Sequence, residues 1–302
     1  MKSLIQKAFP PLALGMALLV GVATARAQPA LPPLMVYDFN LGMEPAANVD
    51  YVKGLGFAGL VTSVEHPSDL PRLVQYARHV STLDDFDLLA FVVYDFAVPA
   101  NQDVWHQALP ILARVGAPLW VIVRNAPSTP ALHQLLRQMA HESTLFGVST
   151  VIYPHWGTSI ETAADASAVI EAIGDPNLKN SLHTCHEIRG GNQDDLPAVV
   201  VEHAAETSLV TIAGADEDAY AGPFAVGIPW DDAIKPLDEG DFSLLPFLQA
   251  LHDSGYDGPV ILHTFGIIDN PGHLERSLRK YAEYTAQIVR SGEQSNAAPS
   301  RP

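Results

Sequence analysis

An alternation of short apolar runs with amphipathic segments, repeated eight times, is the feature that most constrains the fold of this chain. The apolar runs are rich in β-branched residues and almost continuous, as expected for strands that are buried on both faces of a parallel sheet. The intervening segments are long enough for helices that cover such a sheet. The predicted strands are Leu34–Phe39, Phe57–Thr62, Leu88–Tyr94, Leu119–Arg124, Val148–Tyr153, Ser181–Cys185, Leu209–Ile212 and Pro259–His263.

Helices are predicted near 44–54, 68–83, 101–115, 128–144, 161–173, 193–205, 241–254 and 271–290. Eight strand–helix units in a chain of this length match a closed (β/α)8 barrel, an α/β fold of the TIM-barrel type, in one domain. A doubly wound open sheet is the alternative. It is disfavoured because the first strand-to-helix turn, Asp38–Met43, lacks a glycine-rich phosphate-binding pattern.

The first 27 residues have the pattern of a secretory signal peptide. Lys2 and Lys7 precede an apolar stretch, Pro11–Ala23, and the small residues Ala25 and Ala27 form a signal-peptidase site. An uncleaved anchor is the weaker interpretation because a membrane span needs roughly 20 apolar residues. The sequence therefore predicts a periplasmic or secreted protein, with no stable membrane association after cleavage.

The mature protein is predicted to consist of a barrel over residues 28–290 and a low-complexity, disordered tail over 291–302. The full chain has 17 Lys and Arg against 34 Asp and Glu, a formal net charge of −17. Nucleic-acid binding depends on cationic neutralisation of phosphate, so a nucleic-acid partner is not expected. Cys185 is the single cysteine and has no partner for a disulfide within the chain.

Barrel enzymes carry their chemistry at the carboxyl ends of the strands, and the polar residues there are the candidates for a site. Imidazole suits proton transfer near neutral pH and also binds transition metals. A salt bridge with a rim carboxylate is the usual explanation for an arginine such as Arg124, but its guanidinium could also bind a substrate oxygen. The rim residues are Asp38, Glu65, His66, Asp95, Arg124, Asn125, Tyr153, His155, His183, Cys185, His186, Glu187, Asp216 and His263.

The run from His183 to Glu187 is the most specific of these groups. Alternate residues of a strand share a face, so His183 and Cys185 are expected to point the same way, with His186 at the start of the loop. The alternative is a polar strand end that faces solvent.

Several motifs in the second half resemble those of sugar phosphate isomerase/epimerase barrels of the xylose isomerase type, a superfamily that includes AP endonuclease 2. The resemblance covers about residues 148–285 by motif and the first half by topology alone. The motifs are Val151–His155 followed by Glu161–Asp165, Ile212–Asp216, Pro236–Phe242, Leu248–Leu251 and Gly255–Val260.

The resemblance implies a metal cage that this sequence does not supply. Members that bind a metal hold it with Glu, Asp, His and Glu from strands five to eight, and the matching positions here are Tyr153, His183, Ala213 and His263. Either the metal is lost or a nitrogen-rich site replaces the cage. The candidates for such a site are His155, His183, His186 and His263 with Glu187 or Asp216, and the predicted ligands are His183, His186, Glu187 and Asp216. Nitrogen ligands favour zinc over magnesium, with manganese or a similar divalent ion as the alternative.

The resemblance implies an enzyme that moves a proton next to a carbonyl of a sugar or polyol, by isomerisation, epimerisation or β-elimination. Such chemistry needs a base and a stabiliser for the enediolate. His155, His186 and Glu187 are the predicted acid–base residues, and His263 with Arg124, or a metal, the predicted stabilisers. Export favours a free or oxidised sugar over a phosphorylated one.

Two other functions remain open. One is a non-enzymatic periplasmic sugar-binding barrel, in which Trp156, Trp230 and Tyr220 stack on a sugar. The other is a relative of the apurinic endonucleases, which the acidic charge and the missing ligands disfavour.

We predict that the mature protein begins at Gln28, because Ala25 and Ala27 fit the small-residue positions of the peptidase site. Intact-mass measurement of the exported protein should give the mass of residues 28–302. Retention of Met1 in exported material would contradict the prediction.

Overall fold

The computed structural model describes residues 31–219 and 230–297, with side chains described as far as residue 292. Eight parallel strands close into a barrel in sequence order, and β8 pairs with β1. The predicted (β/α)8 barrel is confirmed. The strands are β1 Leu34–Tyr37, β2 Gly59–Val64, β3 Asp87–Asp95, β4 Leu119–Arg124, β5 Thr150–Ile152, β6 Leu178–His183, β7 Thr207–Ile212 and β8 Val260–Leu262.

Helices surround the barrel and lie close to the predicted positions. None of those in the described ranges is both long and apolar enough to cross a bilayer. The last helix continues to Ala297, so residues 291–297, assigned to a disordered tail from the sequence, are helical. The predicted signal peptide, residues 1–27, lies outside the described residues. The helices are α1 Pro45–Leu55, α2 Leu70–Val80, α3 Val104–Arg114, α4 Thr129–Leu145, α5 Ala163–Ile173, α6 Thr184–Arg189, α7 Leu196–His203, α8 Leu245–Asp253 and α9 His273–Ala297.

Aromatic rings fill the upper interior of the barrel. Trp120 of β4 stacks on Tyr153, with ring centroids 4.8 Å apart, and Tyr153 stacks on His183 of β6 at 3.8 Å. Phe91 of β3 packs edge-on against Tyr153 at 5.4 Å, and Tyr37 of β1 lies 6.3 Å from Trp120. Large planar rings pack the interior densely, so the barrel is a closed core and not a channel.

The sixth unit differs from the prediction. The sequence predicts a strand over Ser181–Cys185, but β6 ends at His183 and the helix α6 begins at Thr184. Cys185 therefore lies on a helix and does not share a strand face with His183. A polar run of five residues is too short for its periodicity to distinguish a strand from a helix, and this caused the error.

The connection from β7 to α8 folds back over the mouth of the barrel. Gly214 and Lys235 form an antiparallel bridge with backbone hydrogen bonds of 2.9 and 2.8 Å, and the Asp216 N–H donates to the Asp232 carbonyl at 2.8 Å. Where the chain returns, Gly240 has a φ of +80° and lies against the backbone of Ala215. These contacts fix the base of the connection, which carries residues 230–234 over the barrel.

We predict that Gly240→Ala destabilises the fold, because the new Cβ would overlap the Ala215 carbonyl in addition to forcing an alanine into a left-handed conformation. The left-handed conformation alone costs about 1–2 kcal/mol and the overlap adds about 1–3 kcal/mol. Denaturant unfolding monitored by tryptophan fluorescence measures the loss.

Gly174→Ala is the matched control. Gly174 also has a positive φ, of +69°, but no atom lies within 4 Å of the position that an added methyl group would take, so only the conformational cost applies. Equal losses in the two variants would contradict the close approach at Gly240.

Candidate active site

A pocket of about 210 Å³ opens at the carboxyl ends of the strands. It is smaller than the roughly 300–1,000 Å³ of pockets for drug-sized ligands, which indicates a small ligand. A larger cleft of about 510 Å³ lies at the amino ends of the strands, but Asp87 is its single titratable lining residue. The pocket at the carboxyl ends is lined by Phe39, Glu65, Phe91, Ile122, Arg124, Tyr153, His155, His186, Trp230, Ile234, His263 and Phe265.

Two histidines lie side by side in this pocket and are held in opposite tautomers. The rings of His155 and His186 are 4.1 Å apart. His155 Nδ1 lies 2.9 Å from the Trp156 carbonyl, which only accepts, so Nδ1 carries the proton and Nε2 has a free lone pair. The Trp156 N–H, which only donates, points at His186 Nδ1 from 3.4 Å. His186 therefore carries its proton on Nε2.

The proton on His186 Nε2 has no acceptor among the residues that the structure describes. This buried nitrogen has no hydrogen-bond partner among the described residues, although the residue is only 2% exposed. A buried donor without a partner is costly, at about 1–3 kcal/mol, and on a residue that lines a pocket it is a candidate for a hydrogen bond to a ligand.

His263 forms the opposite wall and is tied to the aromatic interior. Its Nδ1 accepts from the Phe265 N–H at 3.3 Å, so its Nε2 carries the proton and faces the Tyr153 hydroxyl at 3.4 Å. Tyr37 in turn donates to the Tyr153 oxygen at 3.4 Å. The orientation of His263 is thus fixed from both sides.

Burial keeps the pocket histidines neutral. It lowers the pKa of His155 to about 4 and that of His263 to about 3, with Arg124 adding a smaller lowering at His155 and the neighbouring His155 at His263. Burial also lowers the pKa of His186 and of His183 well below the usual value, and the surrounding histidines add to the effect. At neutral pH these rings act as neutral donors and acceptors and not as cations.

Arg124 brings a positive charge to the pocket rim. Its Nη1 lies 3.4 Å from a Glu65 carboxylate oxygen, and each side chain is 36% exposed. An exposed ion pair of this kind contributes about 0–1 kcal/mol, so the guanidinium is readily available to an oxygen of a bound molecule. Both interpretations of Arg124 from the sequence, the salt bridge and the substrate contact, are compatible with this position.

The predicted metal ligands are not brought together. The His183 ring lies below the pocket with both nitrogens engaged, Nε2 with Ser181 Oγ at 2.7 Å and Nδ1 with Thr211 Oγ1 at 2.8 Å. Asp216 pairs with Lys235 at 2.8 Å on the β7–α8 connection. Of the predicted ligands, His186 alone lines the pocket, together with the further candidates His155 and His263. The others turn away because strand-end proximity does not determine which way each side chain points.

Glu187 also lies away from the pocket. One carboxylate oxygen accepts from the Ala163 N–H at the start of α5, and the other accepts from Asn192 Nδ2, both at 2.6 Å. Burial raises its pKa, and the two hydrogen bonds oppose that change. This buried carboxylate links α5 to α6, and the position of the helix that carries His186 depends on it.

Asp38 is the other strand-end carboxylate that turns away. Its oxygen accepts from Thr62 Oγ1 at 2.7 Å on the outer side of β1 and β2, facing the helices. Phe39, the next residue, lies inside the pocket instead, and so does Phe265 two residues beyond His263. These lining aromatics were missed from the sequence. The alternation of sides along a strand end could have indicated them.

Arg189 positions the aromatic roof of the pocket. This residue of α6 is 2% exposed, donates to the Ala219 carbonyl at 2.7 Å and pairs with Asp232, so it connects the two arms of the β7–α8 connection. Its guanidinium lies 5.2 Å from the Trp230 ring centre. Trp230 then packs edge-on against His186 at 5.1 Å. Tyr220, the third predicted sugar-stacking aromatic, lies outside the described residues.

One set of potential metal donors is compact. Cys185, His186 and His263 each place a ligand atom within 4.8 Å of the other two. Burial raises the pKa of the Cys185 thiol to about 12, which keeps its sulfur protonated. None of the four cage positions, Tyr153, His183, Ala213 and His263, offers a carboxylate, so the oxygen-rich cage implied by the resemblance does not fit these residues.

The architecture is shared with solved structures of sugar epimerases and of an AP endonuclease. An L-ribulose 3-epimerase is similar over 90% of this chain and 100% of its own, with a TM-score of 0.65 and 15% identity. A 3-keto-D-glucoside 4-epimerase from E. coli is similar over 86% of this chain and 99% of its own, with a TM-score of 0.61 and 15% identity. An AP endonuclease of family 2 from Brucella melitensis is similar over 83% of this chain and 99% of its own, with a TM-score of 0.59 and 17% identity. At these identities the similarity shows the fold.

A comparison with curated proteins finds no match to this chain. The model of the xylose isomerase-like TIM barrel family matches residues 100–284, which is more than half of the sequence. The resemblance identified from the motifs is thereby confirmed, and the chain belongs to the xylose isomerase-like TIM barrel family.

Proposed function

We propose that this protein is an exported enzyme that transfers a proton next to a carbonyl of a small sugar derivative, as isomerases and epimerases do. The observation that carries the proposal is the free Nε2 lone pair of His155 in the pocket, held there by the hydrogen bond from Nδ1 to the Trp156 carbonyl. The structural similarity to sugar epimerases supports the choice of reaction class.

The pocket suits a small polyhydroxylated ligand. Phe39, Trp230 and Phe265 offer apolar faces for the C–H side of a sugar ring, and Arg124 with Glu65 offers a donor and an acceptor at the rim. The volume of about 210 Å³ favours a single sugar unit. A polyanionic nucleic acid is disfavoured by the formal charge of −17.

In the proposed reaction, His155 Nε2 removes the proton from the carbon beside the carbonyl. The C–H electron pair forms the carbon–carbon double bond of an enediolate as the carbonyl π pair moves onto its oxygen. In isomerisation the protonated ring returns the proton to the former carbonyl carbon, and the hydroxyl proton moves to the former carbonyl oxygen. In epimerisation the proton returns to the same carbon after the enediolate has turned its other face to the ring. Arg124 orients the substrate through one of its oxygens. The same first step also begins a β-elimination, so isomerase, epimerase and lyase outcomes share this residue.

Export is part of the proposal and rests on the pattern of residues 1–27. Phosphorylated sugars are mainly intracellular intermediates, so we propose a free or oxidised sugar as the substrate. A non-enzymatic sugar-binding barrel is the second candidate, and the aromatic lining of the pocket favours it. Binding of a sugar without proton exchange would support this second function.

We predict that His155→Gln lowers proton exchange by about 10²–10⁴-fold, because glutamine fills the space of the ring but offers no base. The assay follows deuterium uptake from heavy water by mass spectrometry across a panel of aldoses, ketoses and uronic acids. Tryptophan fluorescence verifies that the variant folds.

His141→Gln, on the exposed side of α4, is the matched control and should exchange like the wild type. If the folded His155 variant remained within a few-fold of wild type on the active sugar, the assigned base would be wrong.

The pH profile of exchange should have its acid limb near pH 4. The base form of His155 is the active one, and burial lowers its pKa to about 4, so protonation removes the lone pair only as the pH falls through that value. We therefore expect kcat/KM to stay level from about pH 8 down to about pH 5. Rates are measured in buffers in which fluorescence shows the folded protein. A limb centred at about 6.5, the value of an ordinary histidine, would contradict the burial of this ring.

A further inference from the structure

The tautomers of the pocket histidines bear on whether this barrel takes a metal. A ligating imidazole presents an unprotonated nitrogen to the ion and donates its other N–H to a carboxylate or a carbonyl. At His186 and His263 the Nδ1 atom instead faces a backbone N–H, from Trp156 and Phe265 respectively. The Nε2 of each ring therefore carries a proton and has no lone pair for a cation.

Binding an ion at these two rings would cost both backbone hydrogen bonds. Each ring would have to move its proton to Nδ1, where it would point at another N–H. The described pocket lining has one carboxylate, Glu65, and Arg124 lies beside it. No anionic group among these lining residues is placed to neutralise a divalent ion.

The four positions that correspond to the family's metal cage also lack suitable ligands. His183 uses both ring nitrogens on the hydroxyls of Ser181 and Thr211, and Ala213 has no donor. The Tyr153 hydroxyl lies 3.4 Å from both the Tyr37 hydroxyl and His263 Nε2. The residues present do not fit the divalent metal that the fold family implies.

We propose that this barrel works without a divalent metal and that the Nε2–H of His186 takes the place of the Lewis acid. The proposal rests on the proposed function. This N–H is buried, has no partner among the described residues and borders the same pocket as the His155 base. As the C–H electron pair moves onto the substrate carbonyl oxygen, the developing negative charge accepts this hydrogen bond. A neutral imidazole that polarises a carbonyl serves the same purpose in triosephosphate isomerase.

Measuring the metal content tests whether the barrel works without a divalent metal, and it needs no activity measurement. Protein expressed in medium containing zinc, manganese, cobalt and iron should retain substoichiometric metal by mass spectrometry. Titration with Zn²⁺, Co²⁺ or Mn²⁺ should give no binding heat, and Co²⁺ should give no thiolate charge-transfer band. One tightly held ion per chain that Cys185→Ser or His186→Gln removes would overturn the proposal.

The tautomers are measured directly by long-range ¹H–¹⁵N correlation spectra of histidine-labelled protein. We expect Nδ1–H at His155 and Nε2–H at His186 and His263, with His186→Gln and His263→Gln spectra for assignment. An Nδ1–H proton on both His186 and His263 would leave both Nε2 atoms free for a metal and would contradict the proposal.

A pair of variants separates the hydrogen bond from the ring. The side-chain amide of His186→Gln can still donate an N–H, whereas His186→Leu keeps the bulk and donates nothing. Loss of one oxyanion donor costs about 10²–10³-fold in kcat. We expect kcat of the leucine variant to fall by this factor and kcat of the glutamine variant to fall less, with KM little changed in both. Equal losses in two folded variants would overturn the role of the N–H.

The outcomes distinguish this inference from the proposed function. If no sugar exchanges a proton, the proposed function fails, and the metal and tautomer measurements still decide whether the pocket excludes a metal. If exchange occurs but depends on a bound ion, the proposed function stands and this inference fails.

Discussion

The peptide groups of Trp156 determine the protonation of two adjacent histidines, and the chemistry of the pocket depends on this arrangement. The carbonyl accepts from His155 and the N–H donates to His186, so one ring presents a lone pair and the other an N–H. Backbone groups do not titrate and move little, which makes the assignment independent of pH over the working range. A base and a donor are thus placed 4.1 Å apart, ring to ring, without any ionised side chain between them.

The aromatic interior makes this arrangement possible. Tyr153, Trp120 and Phe91 exclude water from beneath the histidines, and this burial lowers the pKa values of His155 and His263. A solvated pair of rings at this separation would titrate near neutral pH and change its hydrogen bonds as it did so. The same packing makes the pocket small. The aromatic side chains inside the barrel therefore limit the size of the ligand and also keep the histidine rings neutral. Stability of the core and the properties of the site have one physical origin.

The sequence predicted the barrel because strand and helix periodicities are local, and it predicted the rim because parallel strands end at one edge. His155, His186, His263 and Arg124, all taken from strand ends, line one pocket for that reason. The roles of Glu187, Asp216 and His183 could not be predicted, because their partners, Ala163, Lys235 and Thr211, lie 24, 19 and 28 positions away in the sequence. The tautomers depend on which backbone group, a carbonyl or an N–H, faces each Nδ1 atom, and a sequence pattern does not contain that information. The helix α6 was missed because its six residues are too few to show a period.

The fold and the site follow different constraints within the same barrel. Closure of the strands fixes where each strand end lies, whatever side chain it carries, so the positions that could hold carboxylate ligands hold Tyr153, His183, Ala213 and His263 here without disturbing the architecture. None of these four side chains is a carboxylate, so the negative charge that would hold a divalent ion is missing there. An oxyanion formed in such a pocket would then be met by side-chain donors of the protein. The described residues supply one that is buried and has no other partner, the Nε2–H of His186.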